Sequence, residues 1–138
     1  MTFTLARDII KRGELAARSG CNIETIRYYE NIGLLQPPER SEGGHRLYSA
    51  QDQARVRFIL RARDLGFSIV ELRSLLSLVD SGRYTCSEIQ ALTVQHLQSV
   101  RLKIAQLRKL ERTLKEMASN CAGGDTPDCP IIEALSEH

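Results

Sequence analysis

The sequence predicts a mainly α-helical chain: a winged helix-turn-helix module, one long helix, and a short cysteine-bearing tail. Three observations carry that prediction. Two short helical stretches flank a Ser-Gly break at 19–20, and a Gly-Gly turn followed by HRLY comes after them. Three Ser or Thr residues are each answered by an acid three positions on, the capping box that opens a helix. The last of those helices carries apolar residues at steps of three and four from Leu97 to Met117.

At 138 residues the chain has the length of about one domain, or a small domain plus one extended element. Hydrophobic residues make up 42%, but with three Phe, four Tyr and no Trp the core must be aliphatic. No apolar run approaches the ~20 residues of a membrane span, and the first residues lack the pattern of a secretory leader. The expectation is a cytoplasmic protein with no membrane partner, in which clustered cysteines bind metal or do redox work. The net charge of +2 is unevenly spread: residues 1–83 hold thirteen Lys/Arg against ten Asp/Glu, and 84–138 hold six against seven.

In chain order, KRGELAAR (Lys11 to Arg18) places Leu15 and Ala16 on one helical face, with Ser19-Gly20 as a stop. Asn22 can cap a second helix, Ile23 to Asn31, which Gly33 ends. Two helices with a Gly-containing turn form the helix-turn-helix pattern. QPPERSEGGHRLYS then reads as a β-hairpin wing. Ser49 and Asp52 open a helix to about Leu65; Ser68 and Glu71 open another to about Leu78. Thr85 and Glu88 open the longest, to about Asn120, where Gly123-Gly124 prevents continuation. Pro130 begins a tail helix to Leu135. This gives a winged module with connecting helices at 1–80, a linker and long helix at 81–120, and a loop with a short helix at 121–138.

Leu97, Val100, Ile104, Leu107, Leu110, Leu114 and Met117 form a narrow apolar seam, with Arg and Lys between them. That is the pattern of a coiled coil. One chain offers no second rod of that length, so a homodimer through Thr85–Asn120 is expected; packing on the chain's own N-terminal module is the alternative. The helix-turn-helix could be plain scaffold, but its side chains favour DNA. Thr25, Arg27 and Tyr28 lie on the second helix, where a recognition helix presents polar and cationic groups. The wing supplies Arg40, His45, Arg46 and Tyr48 for phosphate oxygens. Domain packing is the alternative for Tyr29 and Tyr48, and suits Tyr29 better.

Cys21 falls in the turn, where a small packing residue is usual. Cys86 opens the long helix and Cys129 precedes a helix-opening proline, both favourable places for a thiolate that binds metal. A rod from Cys86 to Cys121 is ~52 Å long at 1.5 Å per residue, so one chain cannot bring Cys86 to Cys121 and Cys129. Two antiparallel rods can, and two-fold symmetry then makes two sites. Two spare thiols and a buried one is the alternative. Asp125 and Asp128 suit the loop as turn residues and caps.

The ordered stretches GELAARSGCNIETIRYYENIGLL, RSEGGHRLYS and RARDLGFSIVEL, running on to the terminal CPIIEAL, resemble the MerR family of metal-responsive transcription regulators. The likeness covers nearly the whole chain from about Lys11; Arg12 stands where the family usually has an apolar residue. The resemblance implies a winged helix-turn-helix dimer joined by an antiparallel coiled coil with a C-terminal metal-binding loop. It implies promoter DNA and RNA polymerase as partners, with metal binding distorting an overlong promoter spacer so that transcription starts. By position, Thr25, Arg27, Tyr28, Arg40, His45, Arg46 and Tyr48 match the DNA-contacting segments, Arg27 and Arg46 most firmly. Copper-type members have Ser where this chain has Cys86, and a third thiolate suits a divalent soft ion. Zinc-type members add a Cys and a loop His that are absent here. Three thiolates at Cys86, Cys121 and Cys129 suit Hg(II), with Cd(II), Pb(II) or Zn(II) as alternatives, and a thiol redox sensor as a second class. His96 is ~15 Å along the helix from Cys86 and cannot complete a site there. No arrangement of catalytic groups is recognisable, and an enzyme is not expected.

Overall fold

The computed structural model describes residues 9–38, 40–121, 123–124 and 128–137. Its elements run β1 (Ile10–Lys11), α1 (Arg12–Ser19), α2 (Ile23–Asn31), β2 (Leu47–Tyr48), α3 (Ala50–Asp64), α4 (Ile69–Ser81), α5 (Cys86–Ser119) and α6 (Pro130–Ser136). The chain divides into two compact units, Met1–Leu92 and Thr93–His138. None of its described helices is long and apolar enough to cross a membrane.

The first unit is built around one aliphatic core. Leu15 and Ala16 of α1, Ile26 and Tyr29 of α2, Val56 and Ile59 of α3, and Leu72 and Leu76 of α4 are all buried in it. Helices α2, α3 and α4 start where their side-chain caps are. The Asn22 side chain accepts from the Thr25 backbone at 2.8 Å, and Ser49–Asp52 and Ser68–Glu71 form reciprocal capping boxes. Each such cap contributes about 1 kcal/mol by satisfying amides that have no partner inside the helix. Gly20, at φ 76°, turns the chain out of α1 and returns its N–H to Ala16 and Ala17, a left-handed stop that only glycine adopts without strain. Cys21 packs half-buried against the core, as a turn residue should.

Helix α4 runs three residues beyond the expected Leu78, to Ser81, because the left-handed stop is Gly82. The wing also departs from a self-contained hairpin. Arg40 and Arg46 form an isolated antiparallel bridge, but β2 pairs with β1, Ile10 opposite Tyr48 and Lys11 opposite Leu47. The residues before α1 thus serve as the wing's third limb.

Two arginines fasten the end of α2. Arg55 of α3 donates through Nε to the Leu34 carbonyl at 2.7 Å and, through both terminal nitrogens, to Asp80 of α4 at 2.6 and 3.0 Å. Arg73 of α4 donates to the Ile32 carbonyl. The last-turn carbonyls of Tyr28, Tyr29 and Glu30 are closed by the backbone N–H groups of residues 32–35, and the two arginines take carbonyls just past the helix.

Helix α5, which begins in the first unit and makes up most of the second, reads differently. Its buried residue is His96, while Leu97, Ile104, Leu107, Leu110 and Leu114 are 42 to 64% exposed. The Thr85 and Glu88 cap bonds are both present, at 3.0 and 3.2 Å. Gly123 and Gly124 have φ of 82° and 95° and cannot extend the helix. Asp125 lies outside the described residues.

Truncating the centre of the first core tests this account. Ile26→Ala, at a side chain with no exposed surface, should cost about 2–5 kcal/mol in urea unfolding at fixed protein concentration. A cost under about 1 kcal/mol would mean α2 is not held by that core.

Candidate DNA-binding surface and thiol site

The surface of α2 is made by its own periodicity. Ile26 and Tyr29 turn inward, leaving Glu24, Arg27 and Tyr28 outward. Arg27 is paired with Glu24 at 2.8 Å, both side chains more than half exposed. Such a pair is worth under about 1 kcal/mol in water, so the guanidinium can exchange it for a phosphate or a base edge. Tyr28 is 51% exposed, its ring 5.7 Å from that of buried Tyr29. Thr25 is tied back: its hydroxyl donates to Asn22 Oδ1 at 2.9 Å.

The wing stands beside this helix. Its tip is a turn in which Gly44 N–H reaches the Ser41 carbonyl and Ser41 N–H the His45 carbonyl, with Gly44 at φ 80°. Arg40 and His45 are exposed, and Arg46 is partly covered. A cleft of about 1030 Å³ opens between wing and α2, lined among others by Lys11, Arg12, Arg27, Arg40, His45 and Arg46. The six basic groups come from β1, α1, α2 and the wing, and give the cleft the sign that suits a phosphate backbone.

At its base lies Glu30. The side chain is 5% exposed and its carboxylate accepts three bonds: from Arg12 Nη2 at 2.9 Å, from Arg46 Nη1 at 3.3 Å and from the Tyr48 hydroxyl at 2.9 Å. Arg12 Nε donates in turn to the Tyr48 oxygen at 3.1 Å. Tyr48, expected among the phosphate contacts, is 1% exposed and serves as an internal post that fixes Arg12 and Glu30. Burial raises the Tyr48 phenol above its usual value, the bond from Arg12 working against it. The Arg12 guanidinium is raised too: burial opposes the charge, but Tyr48 and Glu30 outweigh it. Sequence reasoning missed Glu30 and Arg12. Arg12 in place of an apolar residue was the one signal available, since a cation there needs a buried acid.

The four cysteines are free thiols. Cys21 is half-buried, and burial raises its thiol pKa, which suits packing rather than ligation. Cys86 is exposed at the first position of α5; Cys121 follows its last residue by two; Cys129 is the N-cap of α6. The helix between them is unbroken for 34 residues, ~51 Å at 1.5 Å per residue. Among the described residues, no three His, Cys, Asp or Glu of one chain gather as a metal site. Three soft sulfur donors nonetheless fit a thiophilic ion if a second chain brings them together.

A small helical unit with a recognition helix, a paired wing and a basic cleft between them defines the class of winged helix-turn-helix DNA-binding proteins. Within it, residues 10–79 match the family model "MerR HTH family regulatory protein", and residues 53–117 match "MerR, DNA binding". The chain belongs to the MerR HTH family of transcription regulators, and is not an enzyme. It is 42% identical over 124 residues to heavy metal-dependent transcription regulator 2 of Rhizobium meliloti, covering 90% of this chain and 84% of that one. It is also 42% identical over 124 residues to the mercuric resistance operon regulatory protein of Bacillus cereus, covering 89% and 94%. Among solved structures it resembles the regulator PbrR691 of Ralstonia metallidurans in complex with lead(II): 38% identity, TM-score 0.79, 92% of this chain and 99% of that one.

The buried phenols give this surface a pH signature. Tyr29 and Tyr48 are both raised from 10.0, chiefly by burial. A raised folded-state value means the unfolded chain loses its proton first, so this stability is intact below about pH 10 and is lost as pH rises through the folded values. Stability measured by urea unfolding between pH 8 and 11 should begin to fall above about 9, where the raised Cys21 thiol leads, and steepen above about 10, and Tyr48→Phe should shallow that second fall. An identical fall in the variant would show Tyr48 contributes nothing to it.

Proposed function

We propose that the chain is an Hg(II)-responsive transcription regulator of the cytoplasm that binds promoter DNA as a homodimer. The subunits pair through antiparallel α5 helices, and Cys86 of one joins Cys121 and Cys129 of the partner subunit in a three-thiolate site. One observation carries this reading: an unbroken 34-residue helix with a thiol at its first residue, a second two residues past its end, and a third at the N-cap of α6. Within one chain the helix separates the thiols by its own length; antiparallel pairing cancels that length at both ends.

The exposed seam supports the pairing. Each of its leucines and isoleucines contributes about 1.5–3 kcal/mol when fully buried, and α5 leaves five of them 42% exposed or more. A heavy metal-dependent regulator and a mercuric resistance regulator among its relatives support the choice of a soft ion. Hg(II) accepts trigonal thiolate coordination, whereas zinc usually takes four ligands. Pb(II) is the second reading, favoured by the lead-bound relative, with Cd(II) or Zn(II) requiring an added donor. A redox role for the same thiols would show as a response to peroxide without metal.

On the DNA side, Arg27 and Tyr28 face the groove from α2 and Thr25 borders it, while Arg40, His45 and Arg46 take phosphates from the wing. Tyr48 acts through Glu30 and Arg46 rather than by its own contact. The bound ion supplies a cross-link between the two subunits. The chain's own part is to carry that constraint to two DNA-binding units, changing the promoter's shape for RNA polymerase.

Mixing subunits decides the arrangement. Cys86→Ser alone and Cys121→Ser/Cys129→Ser alone should each lose the three-coordinate thiolate-to-Hg(II) absorption. Refolded together, they form heterodimers with one intact site, so about a quarter of wild-type capacity should return. Absence of any recovery would sink the cross-subunit site, and an unchanged band in Cys86→Ser would bring the two-thiolate reading forward. Competition of Pb(II) against Hg(II) on the wild type ranks the two ions.

A further inference from the structure

Two acids line the basic cleft, Glu14 and Glu30; a surface built only to attract DNA would carry neither. Glu30 is the buried one. Its carboxylate, 5% exposed, stands at the base of the basic cleft and draws Arg12 and Arg46 onto itself at 2.9 and 3.3 Å. It weakens phosphate attraction twice: its own charge repels, and it engages guanidinium N–H groups that phosphate oxygens could otherwise use. Cation count sets the sequence-independent part of DNA affinity, through counterion release, and raises affinity for every duplex alike. The carboxylate subtracts from that part.

What it returns is geometry. Arg46 belongs to the wing, Arg12 to α1 and Glu30 to the recognition helix, so the two ion pairs and the Tyr48 bond join three elements at one point. The strand pair beneath is two residues long on each side, too short to set the wing's angle by itself. With Glu30 in place, Arg46 is offered at one height relative to Arg27 and Tyr28. A phosphate meets it only when α2 is seated in the groove.

We propose that Glu30 is a specificity-determining positioning residue, which lowers affinity for arbitrary DNA while fixing the wing against the recognition helix. The inference rests on the assignment of this cleft to DNA given above. It concerns discrimination between sequences, which that assignment leaves open.

The test uses the full-length dimer without metal, a duplex enriched by the wild-type protein from a random pool, and a scrambled duplex of the same composition. Affinities are read by fluorescence anisotropy across a salt series, with thermal unfolding recorded beside them. Glu30→Gln, close in shape, should bind the scrambled duplex about threefold tighter or more, with a salt slope steeper by about 0.9, one added phosphate contact. Binding to the enriched duplex should weaken, so that discrimination falls by about tenfold or more.

A residue of merely structural importance would weaken both duplexes in parallel with an unchanged slope, and that result overturns the proposal. Should the single variant not fold, Arg12→Leu/Glu30→Gln removes one charge of each sign. It should hold scrambled-duplex affinity within about twofold while still losing discrimination, and unchanged discrimination there is equally fatal. If the wild type enriches no sequence at all, the DNA assignment of the cleft fails and this inference goes with it. If the wild type discriminates and Glu30→Gln discriminates equally, only the inference fails.

Discussion

The first unit depends on a carboxylate that has been taken out of water. Removing a carboxylate from solvent costs several kcal/mol even after relaxation, and good geometry with every remaining lone pair engaged is what offsets it. Glu30 engages three of its roughly four acceptor sites, with donors from two elements: Arg12 of α1, and Arg46 and Tyr48 of the wing. No one of the four residues is well placed without the others. Tyr48 would be a buried phenol lacking an acceptor, and Arg12 a largely covered cation without an acid. The wing would be a two-residue ladder with nothing to fix its angle.

The recognition helix gains from the same economy at its other contacts. Asn22 holds its start and Arg73 and Arg55 close the carbonyls just past its end. Because Arg55 also grips Asp80 by two nitrogens, the end of α2 and the end of α4 share one side chain. Asp80 lies two residues before Gly82, whose left-handed φ of 66° turns the chain out of α4. The end of α4 is therefore bonded through Arg55 to the end of α2, the helix proposed to enter the groove. A DNA reader needs that stiffness, since phosphate contacts fix register only when the side chains making them are held relative to those that touch bases.

Helix starts were legible because their cause is local. A Ser or Thr and an acid three residues on are enough, and α3, α4 and α5 begin at the residues their boxes dictate. The end of α4 was placed at Leu78 because its apolar pattern stops there; the glycine that stops it is four residues further on. What could not be read was anything set by a distant partner. A two-residue strand has no periodicity, so β1 left no trace, and without β1 nothing in HRLY decides between packing and phosphate contact for Tyr48. The basic groups at 27, 40, 45 and 46 were legible by type, but the acid that orders Arg46 was not. Glu30 looks like any charged residue near the end of a helix until Arg12, eighteen positions upstream, is seen to reach it.

The thiols make the complementary case, in which sequence spacing alone carries the argument a long way. A helix converts separation in sequence into separation in space at a fixed rate, so 34 unbroken residues hold their two ends apart by ~51 Å. No rearrangement of side chains closes such a gap. If the three thiolates act together, a second chain must supply the missing end. An antiparallel partner does so while covering the exposed leucines of the same helix. On that reading the metal site and the dimer interface are one structure: a substitution that loosens the seam moves Cys86 away from Cys121 and Cys129 of the partner subunit. Metal affinity and dimer stability then have to rise and fall together, as linkage requires of a ligand that binds only the assembled state.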